Sequence, residues 1–151
     1  MLLAIDIGNT NVVCGLFEGS TLRGHWRMAT ESRRTDNEYG ILLLNLLQNA
    51  GFTPDQITGC VLSSVVPALT ATFDSVVQEY FHRTAVIVGP ETDSGLTLRY
   101  ANPKEIGSDR IVNAAAAYAR YHSDVIIVDF GTATTFCAVT KSAEYLGGVI
   151  A

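Results

Sequence analysis

One short pattern occurs twice in this chain and constrains its fold more than any other feature. The first copy is Leu3–Asn11 and the second is Ile127–Thr135. Each copy has an apolar strand, then an Asp, one apolar residue, a Gly, and a run of small hydroxyl or amide residues. The Gly lets the backbone turn closely, and the Thr and Asn side chains with free backbone N–H groups can donate to phosphate oxygens. Two copies indicate two turns that face one nucleotide.

The composition fits one ordinary domain with a solid core. The chain has 151 residues, of which 48% are hydrophobic and 17% charged, and this is not the composition of a disordered chain. The net charge is −5 and no block of Lys or Arg occurs, which argues against nucleic acid as a partner. A nucleotide is compatible with this charge, because backbone amides and a metal ion can neutralise a few phosphates.

The cysteines and the first residues indicate a cytoplasmic protein. Cys14, Cys60 and Cys137 are far apart and form no Cys-x-x-Cys pair, so we expect buried free thiols in a reducing compartment. The chain begins directly with a strand rather than with a signal peptide, and no apolar run approaches the roughly 20 residues of a membrane span. We therefore expect no membrane partner.

The hydrophobic pattern predicts an α/β domain followed by the beginning of another like it. Strands are predicted at 2–7, 11–18, 21–30, 59–64, 85–88, 125–130 and 134–140. Helices are predicted after a capping box at Thr35 and Glu38, from Pro67 to about Phe81, and within 106–121. The strand at 125–130 is expected to be buried on both faces, and residues 93–104 are the least regular.

The last residues are apolar and glycine-rich, and a third strand of a second meander begins there. A remnant of two or three strands buries little surface alone. We therefore expect a truncated chain whose full protein continues into a second domain. The alternative is a genuine end at a final edge strand.

The first turn, Asp6-Ile7-Gly8-Asn9-Thr10-Asn11, is a candidate phosphate-binding hairpin with Asp6 near a hydrated Mg²⁺. The alternative is a simple β-turn, because Gly-Asn and Asn-Thr are ordinary turn residues. Alone, the two interpretations are about equal, and the second copy of the pattern favours a functional one.

The second turn follows Asp129, which closes a run of Val and Ile. Thr is a good strand former, so Thr132, Thr134 and Thr135 could belong to plain sheet. A carboxylate at the end of a buried strand is costly unless it meets a cation or donors, and this is the edge where open α/β sheets bind ligands.

A third candidate is Gly107-Ser108-Asp109-Arg110, which opens a helix carrying Asn113 one turn later. The helix dipole keeps Asp109 ionised, so it could accept a proton from a substrate hydroxyl, and Arg110 could bind a carboxylate or phosphate. The alternative is that Ser108 is a plain N-cap and Asp109 a favourable first-turn acid, and spacing alone favours this alternative.

These motifs together resemble a known family. The turns at Asp6–Asn11 and Asp129–Thr135 resemble the phosphate loops of the acetate and sugar kinase/Hsp70/actin superfamily. With the segments at 34–38, 100–103, 107–110 and 147–150 they resemble type III pantothenate kinase along the whole chain. The resemblance implies a ribonuclease H-like (actin-like ATPase) α/β fold with a mixed five-stranded sheet and flanking helices over residues 1–122. It also implies the start of a second, similar domain over residues 123–151.

The family resemblance further implies ATP-dependent phosphorylation of pantothenate, the first committed step toward coenzyme A. It assigns ATP phosphates to Asp6, Ile7, Gly8, Asn9, Thr10, Asn11, Val12 and Val13, with a further ATP contact at Thr132. It assigns pantothenate to Tyr100, Gly107, Ser108, Asp109 and Arg110, with Asp109 as the general base. It implies K⁺ or NH₄⁺ at Asp129, Mg²⁺ with the ATP, and a homodimer.

One departure from the family leaves alternatives open. Family members are longer than this chain and have a complete second domain, so the activity of a 151-residue chain alone is doubtful. The rival functions are a catalytically weak member acting as a regulator, against which the intact Asp109 argues, and an actin-like or chaperone-like ATPase. In the latter, the segment 107–110 would have no role.

Overall fold

The chain contains two β-sheets. The computed structural model describes all of its residues, Met1–Ala151. The chain divides into a first unit, Met1–Ile87, and a second unit, Val88–Ala151. This boundary precedes the one predicted at residues 122 and 123, because the helix at 108–121 packs on the strands that follow it. The predicted domains rest on the repeated turn rather than on compactness, and they stay a prediction.

The first unit contains a mixed five-stranded sheet. Its strands are β1 (Leu2–Ile7), β2 (Asn11–Glu18), β3 (Thr21–Ala29), β4 (Gly59–Ser64) and β5 (Ala85–Ile87), in the order β3-β2-β1-β4-β5. The first three strands form an antiparallel meander, whereas β4 runs parallel to β1 and to β5. The predicted mixed sheet is therefore confirmed, with strand ends that differ by at most one residue.

Two helices supply the core that covers one face of this sheet. Helix α1 (Asp36–Asn49) begins at the predicted capping box, in which Glu38 N–H donates to Thr35 Oγ1 at 3.3 Å. Helix α2 (Pro67–Phe81) begins with Pro67, whose missing N–H costs nothing in a first turn. The core joins alternate residues of the strands to one face of each helix. It includes Leu3, Ile5, Ile7, Val12, Cys14, Leu16, Tyr39, Leu43, Leu47, Leu69, Phe73 and Val77.

The second unit contains a four-stranded sheet and one helix. Its elements are β6 (Thr97–Leu98), α3 (Ser108–Tyr121), β7 (Val125–Phe130), β8 (Thr134–Val139) and β9 (Glu144–Ile150), and the sheet order is β6-β9-β8-β7. The strands β7, β8 and β9 repeat the antiparallel meander, and β6 is parallel to β9. A short 3-10 helix at Pro103–Glu105 precedes α3, which lies within the predicted range 106–121.

Strand β7 is not buried on both faces, as the sequence predicted. Its residues alternate, because α3 packs on β7 and β8 and covers only one face of the sheet. On the other face the side chain of Ile126 is 69% exposed and that of Phe130 is 82% exposed. An unbroken apolar run was therefore misleading, since one half of it faces solvent in this chain. None of the helices is long and apolar enough to cross a membrane.

Candidate functional site

The first turn is braced by the strand beside it. Gly8 N–H donates to the Asn11 carbonyl at 3.0 Å, which closes the turn between β1 and β2. Thr30, just after β3, donates its hydroxyl to the Gly8 carbonyl at 2.7 Å and its N–H to the Thr10 carbonyl at 3.0 Å. A Cβ atom on Gly8 would lie 3.2 Å from the Asn11 carbonyl oxygen, so the close turn favours glycine. These hydrogen bonds define the shape of the loop.

Asp6 lies beside this turn on the face of the sheet that the helices leave open. Ile5 and Ile7 on either side of it are buried, and Asp6 itself is exposed. Its register neighbours are Val13 on β2 and Ser63 on β4. A carboxylate at this end of two parallel strands lies where α/β sheets bind ligands. Ile7 and Val12 have buried side chains, so they could contact a ligand only through backbone atoms.

The second turn is tied to helix α3. Asn113 Nδ2 donates to Asp129 Oδ2 at 2.9 Å, so the carboxylate meets a donor as the sequence required. Gly131 N–H donates to the Ala133 carbonyl at 3.2 Å and closes the turn, and Thr132 is exposed at its tip. The sequence placed Asn113 one helical turn after Asp109 but gave no signal for its bond to Asp129.

The first turn of α3 presents Asp109. Gly107 is the N-cap residue and makes no side-chain capping bond, whereas Ser108 is already the first helical residue and is buried. The interpretation of Ser108 as the N-cap is therefore wrong. Asp109 Oδ1 accepts the N–H of Arg110 at 2.8 Å. An acidic side chain in the first turn of a helix is favourably placed with respect to the helix dipole.

Arg110 is buried under the second sheet, and its charge has no carboxylate partner. Its Nε donates to Cys137 Sγ at 3.2 Å, and the guanidinium centre lies 6.0 Å from the centre of the Tyr145 ring. Nη2 is buried and has no hydrogen-bond partner. Burial lowers the pKa of Arg110, but the neighbouring Cys137, Tyr145 and Tyr100 outweigh it, so the net shift is upward. Burial is also the main cause that raises the pKa of Tyr145.

The double glycine of β9 contacts two of the predicted substrate residues. The pairing of β8 with β9 shifts just before this pair, because Ala138 pairs with Gly147 whereas Val139 pairs with Tyr145, which leaves Leu146 as the extra residue. Gly147 has a φ of +113°, and a Cβ atom there would lie 3.0 Å from the Tyr100 ring. A Cβ atom on Gly148 would lie 2.5 Å from Nη2 of Arg110. Bulges of this kind commonly redirect backbone next to active sites.

The predicted residues fall into two groups, one in each unit. The first group is the hairpin at 6–13 in the first unit. In the second unit, Asn113 lies one helical turn after Asp109 and donates a hydrogen bond to Asp129. Tyr100 and Arg110 lie next to Gly147 and Gly148, respectively. Sequence reasoning missed Cys137 and Tyr145, because nothing in their spacing reveals that they meet Arg110.

The chain holds no cluster of three or more His, Cys, Asp or Glu side chains that could enclose a metal ion. A cation bound at either turn would therefore need further ligands from phosphate, water or backbone oxygens. Asp6 fits this arrangement for Mg²⁺, which commonly uses one or two carboxylates together with substrate phosphates. Asp129 fits it for a monovalent cation, because its carboxylate adjoins an exposed turn.

The sheets and their flanking helices define an actin-like ATPase fold of the ribonuclease H-like type. The Ppx/GppA phosphatase of Aquifex aeolicus matches with a TM-score of 0.55 and 14% identity, over 99% of this chain and 51% of that one. A reductive activator for a corrinoid, iron–sulfur protein matches with a TM-score of 0.60 and 14% identity, over 98% of this chain and 30% of that one. Identities this low establish the fold class alone.

Sequence similarity establishes the family. The family model described as type III pantothenate kinase matches residues 2–151. The type III pantothenate kinases of Myxococcus xanthus (strain DK1622) and Brevibacillus brevis (strain 47) are 51% and 49% identical to this chain, over 150 and 151 residues. The chain belongs to the type III pantothenate kinase family, as the motifs predicted. It is covered to 99% and 100% in these two alignments and spans 59% of the length of each relative.

Proposed function

We propose that this chain acts in the ATP-dependent phosphorylation of pantothenate to 4'-phosphopantothenate, the first step of coenzyme A biosynthesis. The observation that carries the proposal is the match to the family along residues 2–151. The arrangement around Asp109 and Arg110 supports it, because an acid and a cation adjoin at the start of one helix. Phosphoryl transfer needs positioning and charge neutralisation more than covalent chemistry, and such groups supply both.

Asp109 is the proposed general base. One of its oxygens accepts the Arg110 N–H, which fixes the carboxylate and leaves Oδ2 for the primary hydroxyl of pantothenate. Deprotonation of that hydroxyl as it attacks the γ-phosphorus would raise its nucleophilicity. Tyr100, Gly107 and Ser108 are the proposed neighbours of the substrate, and Arg110 is the proposed partner of its carboxylate.

The first turn is the proposed binding site for ATP phosphates. Its exposed residues Asn9 and Thr10 offer side-chain donors, and its brace from Thr30 preserves the loop shape. Asp6 would hold Mg²⁺ through water, and the ion would supply charge neutralisation at the phosphates. In the second unit, Thr132 is a proposed ATP contact and Asp129 a proposed ligand of K⁺ or NH₄⁺. A homodimer in the cytoplasm is proposed as well, and the three buried free cysteines suit a reducing compartment.

The test uses a chimaera in which this chain replaces the matching 150 residues of the Myxococcus xanthus relative. We expect ATP consumption that requires both pantothenate and K⁺ or NH₄⁺. ATP turnover without pantothenate would instead indicate an actin-like ATPase, and nucleotide binding without turnover would indicate a regulator. Either result refutes the proposed function.

The role of Asp109 is tested in the same chimaera with Asp109→Asn. We expect kcat to fall by about 10² to 10⁴, the usual range for a positioned base, while ATP still binds. Asp36→Asn is the matched control, because Asp36 is the corresponding first-turn acid of α1 and accepts the Asn37 N–H at 2.8 Å. A near-normal rate in Asp109→Asn removes Asp109 as the base.

A further inference from the structure

The guanidinium of Arg110 is held by a cysteine and a tyrosine and by no carboxylate. Nε donates to Cys137 Sγ at 3.2 Å, and Cys137 Sγ lies 3.5 Å from the Tyr145 hydroxyl. The Tyr145 ring lies beside the guanidinium at 6.0 Å. The ion pairs of this chain are Arg23–Glu18 and Arg99–Glu144, and neither involves this residue.

A buried cation without a counter-ion is costly, because desolvation is not repaid by a nearby anion. Arg110 and both of its contacts, Cys137 and Tyr145, are buried, and the Nη2 group of Arg110 has no partner. These contacts fix the direction of the guanidinium and include no carboxylate. An acidic residue at position 137 would neutralise it and would compete with any anionic ligand.

We propose that Cys137 and Tyr145 are positioning residues, which orient the Arg110 guanidinium to receive the carboxylate of the substrate. The inference rests on the proposed function, because pantothenate carries a carboxylate at the end opposite its reacting hydroxyl. Cys137 is the main support, since it accepts a hydrogen bond directly from Nε. The hydroxyl of Tyr145 contacts Cys137 Sγ, and the face of its ring lies beside the guanidinium.

The double glycine of β9 completes this arrangement. A Cβ atom on Gly148 would meet the backbone carbonyl of Phe136 on β8 first and would also lie 2.5 Å from Nη2 of Arg110. Position 148 therefore leaves only backbone beside the unpartnered N–H groups of Arg110. Cys137 and Tyr145 are the side chains that contact the guanidinium through a hydrogen bond and a ring face, and both can be changed with little alteration of volume.

The kinetic test compares Cys137→Ala with Cys137→Ser in the chimaera. Loss of a hydrogen bond to a charged group should raise the pantothenate KM of Cys137→Ala by roughly threefold to tenfold, with the ATP KM unchanged. Cys137→Ser keeps an acceptor and should restore the pantothenate KM to within about twofold of wild type. Tyr145→Phe should produce a smaller increase. Cys60→Ala is the matched control, because it removes another buried thiol, in the first unit.

A substrate analogue separates positioning from general loosening. The neutral carboxamide of pantothenate lacks the charge that Arg110 would receive, so Cys137→Ala should not weaken its use further. A merely structural role for Cys137 predicts instead that Cys137→Ala raises the KM of pantothenate and of its carboxamide equally, and that Cys60→Ala has the same effect. That outcome overturns the inference.

Hydrogen exchange of arginine side chains provides a readout that does not depend on activity. In the 151-residue chain, the Nε–H of Arg110 should exchange at least tenfold more slowly than that of the exposed Arg27, and Cys137→Ala should abolish the difference. Equal exchange in the wild-type chain overturns the arrangement. A protected Arg110 without any pantothenate turnover refutes the proposed function alone. Normal turnover with an unchanged pantothenate KM in Cys137→Ala refutes the positioning role alone.

Discussion

Thr30→Val should loosen the first turn without changing the shape of the side chain. The Thr30 hydroxyl donates to the Gly8 carbonyl at 2.7 Å, and valine removes this bond while keeping the branched side chain. The backbone bond from Thr30 N–H to the Thr10 carbonyl, at 3.0 Å, is unaffected. A single partly buried hydrogen bond contributes about 1 kcal/mol, so the unfolding free energy should fall by that amount.

The same substitution should weaken ATP binding more than it weakens pantothenate binding. A turn that loses one of its two braces must be ordered again when the phosphates bind. Fixing the backbone of one residue costs about 1–2 kcal/mol, and part of this cost would move to the binding step. We therefore expect the ATP KM of the chimaera to rise by roughly threefold to tenfold, with the pantothenate KM within about twofold of wild type.

Urea denaturation of the 151-residue chain measures the first effect and steady-state kinetics of the chimaera measures the second. Thr72→Val is the matched control, because its hydroxyl makes only an exposed bond of 3.3 Å within α2. We expect this control to change neither KM. An ATP KM in Thr30→Val that equals the wild-type value, together with an unchanged unfolding free energy, would show that the brace is dispensable and would refute the reasoning.

Three further predictions concern stability. Burial, followed by the charge of Asp6, raises the pKa of Cys14 from 9.0 to about 12. The contribution of the protonated thiol to the free energy of unfolding is therefore complete below pH 9 and is lost as the pH rises toward 12. The urea midpoint should therefore fall as the pH rises from 9 toward 12, and it should fall less in Cys14→Ala. Tyr39→Phe should cost about 1–3 kcal/mol in urea denaturation, because the buried hydroxyl accepts a backbone N–H at 2.8 Å. Hydrogen bonds from Thr35 lower the pKa of Glu38 below its ordinary 4.5. The Glu38 carboxylate therefore contributes to the free energy of unfolding above that pH, and this contribution is lost as the pH falls through the folded-state pKa. Acid melting curves of Glu38→Gln should lose that dependence.

Most of the local structure was predictable, because short-range signals specify it. The capping box at Thr35 and Glu38 and the proline at position 67 gave the starts of α1 and α2. The paired turn motifs gave the fold class, since they combine strand, carboxylate and glycine in a fixed order. Together with the segments at 34–38, 100–103, 107–110 and 147–150 they gave the family. These features depend on neighbours within a few residues, and sequence patterns report such neighbours directly.

The contacts around Arg110 could not be predicted, because they join elements distant in sequence. Cys137 and Tyr145 lie on different strands and meet α3 only once the sheet register is known. The exposure of β7 was mispredicted for a related reason. A run of Val and Ile indicates that a strand can be buried on both faces. Which of its residues are buried depends on the elements that pack on the sheet.

From the strand pairings of the two sheets we expect a particular order of assembly for the chain. The hairpins from β1 to β3 and from β7 to β9 close over short loops, whereas the parallel pairs join Leu2 to Gly59 and Thr97 to Glu144. Long closures lose more chain entropy before contacts compensate, so the parallel edges should form after the hairpins. In pulse-labelled refolding, amide protection in β2 and β8 should therefore precede protection in β5 and β6.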